Sequence, residues 1–95
     1  MSRRYLVSYD IADEVRLRKV HKVVRAFGAM VQASVYEAIL TATERVKLEN
    51  RLRGVMNLKE DQVLFIDMGD GGRSEIPEVE AVGLPYTPRT PSVPK

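Results

Sequence analysis

Apolar residues recur in the first third of the chain in two patterns, one typical of a strand and one typical of a helix. Residues 5–11 read Tyr-Leu-Val-Ser-Tyr-Asp-Ile, a β-branched and aromatic run that predicts a strand over residues 4–10. A helix is predicted from Asp13, a favourable N-cap, to about Phe27. Its apolar stripe follows helical spacing and consists of Leu17, Val20, Val24 and Phe27. Gly28 then stands where a left-handed helix cap is expected.

The middle of the chain contains a second extended region and a second helix. Residues 30–40 are either one strand bent near Ser34 or two short strands joined by a tight turn. Thr41 and Glu44 have the spacing of a capping box, so a helix is predicted to begin there and to run to about Val55. Its apolar side is formed by Leu48, Leu52, Val55 and Met56.

The last third of the chain is predicted to contain two more strands and an extended tail. The strands are expected over residues 61–68 and 79–82, with a flexible glycine-rich turn at residues 69–73 between them. Residues 84–95 carry four prolines, which favour an extended segment over a helix. This segment is either a disordered terminus or an arm that lies on a partner.

The order of these elements predicts an α+β fold. If the middle region forms two strands, the order is βαββαβ, which is the ferredoxin-like sandwich with both helices on one face of an antiparallel sheet. The strand over residues 79–82 is then an extra C-terminal strand. We expect one domain over residues 1–83 and a proline-rich tail over residues 84–95. Because the other face of the sheet needs a cover, a homodimer packed sheet to sheet is expected.

Composition narrows the possible classes of protein. Ninety-five residues make one domain with a thin core. The chain has no cysteine, which excludes disulfides and cysteine zinc sites and fits a cytoplasmic location. No apolar run approaches the roughly 18 residues that span a bilayer, so no membrane association is expected.

The charges are distributed unevenly along the chain. Residues 1–60 hold 12 Lys and Arg against 7 Asp and Glu, whereas residues 61–95 hold 3 against 6. The first part of the chain is therefore the better candidate for contact with a polyanion such as nucleic acid.

Asp10 is the main candidate for chemistry. It ends the first strand, where a carboxylate either caps the following turn or binds a divalent metal ion. Asp13 is better placed for capping, which leaves Asp10 without an obvious structural task. One carboxylate binds Mg²⁺ weakly. A two-fold axis that brings two copies of Asp10 together would provide a shared site for Mg²⁺ or Mn²⁺ and for metal-assisted phosphodiester cleavage.

The predicted first helix carries the candidate phosphate-binding residues. Arg16 lies in its first turn at the edge of the apolar stripe, where it could bind a phosphate beside Asp10 bidentately. Arg18 points more toward solvent, and Lys19 and Lys22 are candidates for diffuse phosphate contacts. The alternative for all of these side chains is a solvated helix face.

Three ring side chains and a second acid complete the set of candidates. Tyr9 and Tyr36 could stack on a base or position a phosphate, although packing in the core or in a dimer interface is the commoner role. His21 borders the apolar stripe and is interpreted as a structural residue rather than a general base. Asp67 lies late in a strand and could be a second acid.

Several of these segments, taken together, resemble the small CRISPR-associated adaptation protein family, whose members are CRISPR-associated endoribonucleases and partners of the CRISPR integrase. The resemblance covers about residues 4–68. The segments that carry it are Tyr9-Asp10-Ile11, Asp13, residues 16–20, Phe27-Gly28 and residues 31–37.

The resemblance implies a ferredoxin-like homodimer in which Asp10 of each copy binds Mg²⁺ or Mn²⁺. It also implies candidate catalytic roles for Tyr9 and Arg16 beside Asp10, and nucleic-acid contacts by Arg16 and Arg18. Tyr36 stands where phenylalanine is more usual in the family. The family pattern of two adjacent arginines is split here by Leu17.

Three functions follow as hypotheses. The first is a metal-dependent endonuclease acting on single-stranded RNA or duplex DNA that also scaffolds the integrase during spacer acquisition. The second is a non-catalytic DNA-binding scaffold with an idle metal site. The third is a related toxin ribonuclease.

Overall fold

The computed structural model describes residues 1–69 and 78–87 of the chain. Seven elements follow one another in these residues, namely β1 (Arg3–Asp10), α1 (Glu14–Arg25), β2 (Ala29–Gln32), β3 (Val35–Leu40), α2 (Ala42–Val55), β4 (Gln62–Asp67) and β5 (Glu78–Gly83). The predicted glycine-rich turn beyond Gly69 and the tail from residue 88 onward lie outside the described residues. No helix in the described part of the chain is long and apolar enough to cross a membrane.

The five strands form one antiparallel sheet in the order β2-β3-β1-β4-β5. The first four strands have the ferredoxin-like order, and β5 extends the sheet beside β4. The middle region therefore forms two strands. The turn between them contains Ser34 in the left-handed region at φ 64°. The predicted α+β fold with an extra strand is confirmed, while the homodimer stays a prediction.

Side chains of β1 alternate between the two faces of the sheet, as strand geometry requires. Tyr5, Val7 and Tyr9 are buried in the core beneath the helices. Ser8 and Asp10 occupy the other positions and point to the opposite face, which we call the open face. Tyr9 and Asp10 are thus neighbours in sequence but belong to different surfaces of the molecule.

Helix α1 begins as predicted, with the Asp13 side chain accepting a hydrogen bond from the Arg16 backbone N–H at 2.9 Å. The predicted end is wrong. The helix ends at Arg25, and its C-cap is Ala26 in a right-handed conformation. Gly28 does not have a positive φ; its missing side chain matters because a Cβ there would collide with the carbonyl oxygen of Glu37.

Helix α2 has both halves of the predicted capping box. The Thr41 hydroxyl accepts from the Glu44 N–H at 3.1 Å, and the Glu44 carboxylate accepts from the Thr41 N–H at 2.8 Å. Leu48 and Leu52 are fully buried against the sheet. The last strand leads into Leu84, whose carbonyl accepts a hydrogen bond from the Gln62 side chain at 3.2 Å. The first residue of the predicted tail, Leu84, is therefore hydrogen-bonded to the sheet.

The open face of the sheet is largely aliphatic. Its residues are identified by their register with β1 and by the alternation of each strand, and none of them is fully buried. They include Leu6, Val35, Ile39, Leu64, Ile66, Val79 and Ala81. Ile39 is 63% exposed. These apolar side chains cover the middle of the open face, and Asp10 lies at one end of that face.

Candidate metal site and nucleic-acid interface

Asp10 is the exposed last residue of β1 and lies across from Gln62 of β4. No hydrogen bond or ion pair involves its carboxylate among residues 1–69 and 78–87. A free carboxylate offers hard oxygen ligands, which suit Mg²⁺ or Mn²⁺. The described residues contain no group of three or more side chains able to hold a metal ion. Asp10 therefore fits such an ion as one ligand, with the remaining positions left for water or other oxygens.

A second acid, Asp61, lies at the same end of the sheet, directly before Gln62. Its side chain is fully buried and accepts four hydrogen bonds. The donors are the backbone N–H of Ala12 at 2.9 Å and of Asn57 at 2.8 Å, and the Arg16 guanidinium at 2.8 and 3.2 Å. Asp61 ties the end of β1, the start of α1 and the loop after α2 together. From the sequence, Asp61 was predicted only as the first residue of a strand.

Arg16 forms hydrogen bonds with this buried acid. Its Nε and Nη2 bind Asp61, and Nη2 also binds the Glu60 carboxylate at 2.9 Å. Burial would raise the pKa of Asp61, but the hydrogen bonds from Arg16, Ala12 and Asn57 outweigh it and lower the pKa from 3.8 to about 2. The structure joins Arg16 to Asp61 and not to Asp10. Its predicted catalytic and phosphate-binding roles remain predictions, and the geometry favours a positioning role.

The two predicted aromatic residues lie together under α1. The Tyr9 hydroxyl is 2.9 Å from His21 Nδ1, and the Tyr36 hydroxyl is 3.3 Å from His21 Nε2. The tyrosine rings are stacked with their centroids 6.3 Å apart. Burial, and then the nearby Tyr36, raise the pKa of Tyr9. Tyr36 is only 2% exposed, so its predicted contact with nucleic acid is not favoured by its packing. His21 has the predicted structural role between the tyrosines.

Asp67 lies at the other end of β4, beside Tyr5 in register. It binds Arg3 at 2.9 Å and accepts from the Gly69 N–H at 2.8 Å. Burial raises the pKa of Asp67, but the hydrogen bonds from Arg3 and Gly69 lower it by more. Because Asp10 is at the opposite end of β1, Asp67 is not a second acid for the same site.

The exposed side of α1 carries a run of cations. Arg18, Lys19, Lys22 and Arg25 are all exposed, and none of them forms an ion pair within the described residues. Cations without a protein partner are available to phosphates. The predicted contacts of Arg18, Lys19 and Lys22 with nucleic acid therefore remain open to test.

Comparison with known proteins gives a consistent result. The family model described as "CRISPR associated protein Cas2" matches residues 1–76. A protein from Geobacter sulfurreducens named CRISPR-associated endoribonuclease Cas2 is 33% identical over 88 residues, which cover 93% of this chain and 92% of the relative.

Two solved structures are similar in fold as well as in sequence. A hypothetical protein from Thermus thermophilus matches with a TM-score of 0.71 and 29% identity, over 82% of this chain and all of that one. Streptococcus pyogenes Cas2 matches with a TM-score of 0.65 and 34% identity, over 72% of this chain and 88% of that one.

Proposed function

The chain belongs to the CRISPR-associated Cas2 protein family, and we propose that it is a homodimeric, metal-dependent endonuclease of CRISPR adaptation. The observation that supports this most directly is the exposed carboxylate of Asp10, which ends the central strand β1 and has no partner in the described residues. Single-stranded RNA is the first substrate to test, because relatives are named endoribonucleases, and duplex DNA is the second.

The dimer is proposed from the open face of the sheet. An aliphatic surface of this kind is unfavourable in water and gains free energy when it is covered. A second copy offers the same surface, so two sheets can pack face to face about a two-fold axis. Because β1 lies in the middle of five strands, an axis close to its end would bring two Asp10 carboxylates toward one site.

The residues of this chain then have separable tasks. A divalent ion bound by Asp10 would polarise the phosphodiester and activate water. Arg18, Lys19 and Lys22 hold the phosphate backbone electrostatically on the exposed side of α1. Arg16 acts as a positioning residue, since its hydrogen bonds to Asp61 hold the start of α1 against the residue that precedes β4.

A non-catalytic scaffold that binds DNA and the CRISPR integrase is the second candidate. The free cations of α1 support it, because phosphate binding by these side chains does not require Asp10 or a metal ion. We favour both CRISPR functions over a toxin ribonuclease, since the family match and the named relatives are CRISPR-associated proteins.

The decisive experiment measures cleavage of single-stranded RNA and duplex DNA with Mg²⁺, Mn²⁺ or EDTA. Wild type, Asp10→Asn and Glu14→Gln are compared; Glu14 is an exposed acid in the first turn of α1, so its variant controls for loss of one negative charge. We expect metal-dependent cleavage to fall at least about 100-fold in Asp10→Asn only.

The other outcomes are equally informative. Equal cleavage by all three proteins would remove Asp10 from the mechanism and point to a contaminant. No cleavage by any of them, with duplex binding and integrase capture intact, would replace the nuclease with the scaffold.

The proposed dimer is tested by substituting two aliphatic residues that have similar solvent exposure. Ile39 on the open face is 63% exposed and Val46 on α2 is 56% exposed. Ile39→Lys is expected to weaken dimerisation at least about tenfold by sedimentation analysis, because the charge would be buried between sheets. Val46→Lys should leave the dimer intact. Equal association of both variants would contradict the sheet-to-sheet arrangement.

A further inference from the structure

A pocket of about 490 Å³ lies between α1 and the hairpin formed by β2 and β3. Its walls include three apolar side chains, Leu17, Met30 and Ala33. The buried ring of Tyr9 and the half-buried ring of His21 line it as well. Pockets of roughly 300–1,000 Å³ with mostly apolar walls and a few polar groups are typical small-molecule sites.

The charged residues of this pocket all have one sign. Arg18, Lys22 and Arg25 line it and lie four and three residues apart, so they share one side of α1. None of them forms an ion pair within residues 1–69 and 78–87, and no acidic side chain lines the pocket. Three cations that face the same space without a counter-charge favour an anionic ligand.

The polar groups inside the pocket suit a heterocycle. The Tyr9 hydroxyl and His21 Nδ1 are 2.9 Å apart, so each holds the other in place. Both nitrogens of His21 are engaged, since Nε2 lies 3.3 Å from the Tyr36 hydroxyl, so the imidazole can offer ring contact rather than a hydrogen bond. The Tyr9 hydroxyl retains the capacity for a further hydrogen bond to the edge of a flat polar ring. Leu17 and Met30 offer apolar contact to the faces of such a ring. The cations that would bind an anion and the side chains that would bind a ring therefore line the same pocket.

We propose that this pocket binds a single nucleotide of a single-stranded segment, with the base against Tyr9, His21 and the apolar wall and the phosphate at Arg18, Lys22 and Arg25. The pocket is separate from the proposed metal site, because Tyr9 and Asp10 point to opposite faces of the sheet. Binding there requires neither Asp10 nor a metal ion. The pocket would anchor a strand on the helix side of the molecule.

The test titrates 5′-mononucleotides into the full chain in the presence of EDTA, with ribose 5-phosphate and inorganic phosphate as probes that lack a base. Affinities are measured by calorimetry and by NMR shifts of the Met30 and Leu17 methyl groups. Mononucleotides are expected to bind at least about tenfold more tightly than either base-free probe, because only they fill the apolar part.

Two matched pairs of variants locate the binding. Ala33→Trp fills the pocket from the exposed hairpin turn, whereas Ala42→Trp adds the same ring at the exposed start of α2. Lys22→Met removes one lining charge, whereas Lys47→Met removes an exposed charge on α2 that does not line the pocket. We expect the first member of each pair to weaken nucleotide binding about tenfold or more, with both controls unchanged. Thermal unfolding of all four variants checks that they are folded.

Each other result overturns the proposal. Equal affinity for nucleotide and ribose 5-phosphate would reduce the pocket to a phosphate patch. Equal loss in Lys47→Met and Lys22→Met would indicate diffuse electrostatic attraction to the protein surface, and unchanged binding in Ala33→Trp would place the nucleotide elsewhere. Asp10→Asn should bind mononucleotides as wild type does, so a failure of the nuclease proposal and a failure of this one are distinguishable.

Discussion

Two carboxylates lie at the same end of the sheet and have opposite surroundings. Asp10 is exposed and has no hydrogen bond or ion pair in the described part of the chain. Asp61 precedes Gln62, the residue across from Asp10 on the next strand, and is fully buried with four hydrogen bonds. The same chemical group is thus used for folding at one position and left available at a neighbouring one.

The contrast explains why we propose the exposed acid, and not the buried one, as the metal ligand. A buried carboxylate is tolerated only when donors replace its water, so the oxygens of Asp61 are occupied by Arg16 and two backbone N–H groups. An exposed carboxylate keeps its water and can exchange it for a metal ion. The cationic residue that the sequence suggested for the site, Arg16, belongs to the buried acid.

The largest expected effect is the loss of Asp61. Asp61→Ala leaves the Arg16 guanidinium and the N–H groups of Ala12 and Asn57 without their acceptor. We expect the free energy of unfolding to fall by about 3–5 kcal/mol, as for other broken buried ion pairs. Urea denaturation measures it. A loss below about 1 kcal/mol would show that Asp61 is not the structural acid of the pair.

The next effect is the loss of Arg16. Arg16→Ala leaves Asp61 buried with only its two backbone donors, and we expect the free energy of unfolding to fall, although by less than in Asp61→Ala. Arg18→Ala, on the exposed side of the same helix, should change stability by less than about 0.5 kcal/mol. If Arg16→Ala instead left stability unchanged while weakening RNA binding, Arg16 would be a phosphate ligand after all.

A smaller change in the free energy of unfolding is expected when the pH is lowered. The folded pKa of Asp61, about 2, lies below its ordinary value of 3.8, so its charged form stabilises the fold. That stabilisation is complete above about pH 5 and disappears as the pH falls through 3.8 toward 2. The difference in unfolding free energy between wild type and Asp61→Asn should narrow over this interval. A difference that stayed constant would mean that Asp61 has no lowered pKa.

The smallest effect on stability is expected at Asp10. Because its carboxylate has no partner in the described residues, Asp10→Asn should change the unfolding free energy by less than about 0.5 kcal/mol without metal. If the proposed metal site is correct, added Mn²⁺ should stabilise wild type and not the variant, because only the wild type has the carboxylate that would bind the ion. Thermal unfolding with and without Mn²⁺ measures both. A large loss of stability in metal-free buffer would make Asp10 a second structural acid.

Local signals were sufficient to predict the elements and their order. The capping box of Thr41 and Glu44, the N-cap at Asp13 and the alternation of β1 each involve residues close in sequence, where backbone geometry sets the interaction directly. The order of elements then led to the ferredoxin-like sheet.

Contacts between distant residues were beyond local reasoning. Arg16 and Asp61 are 45 residues apart, and their pairing depends on β4 lying beside β1. The available signal was topological, since antiparallel pairing of these strands puts the start of β4 next to the end of β1. The role of Gly28 was predicted wrongly for a similar reason, because its constraint comes from the backbone of Glu37 on β3 and not from a helix cap.

Because the side chains of β1 alternate between the two faces of the sheet, an insertion or deletion within this strand would have a large effect. A strand repeats every two residues, so one residue inserted between Val7 and Ser8 would turn Asp10 toward the helices and Tyr9 toward the open face. The carboxylate would then enter the core, and His21 would lose its hydrogen bond with the Tyr9 hydroxyl. A substitution changes one side chain on one face. A single insertion in β1 would move every later side chain of the strand to the opposite face. Length variation among homologues is accordingly expected outside β1.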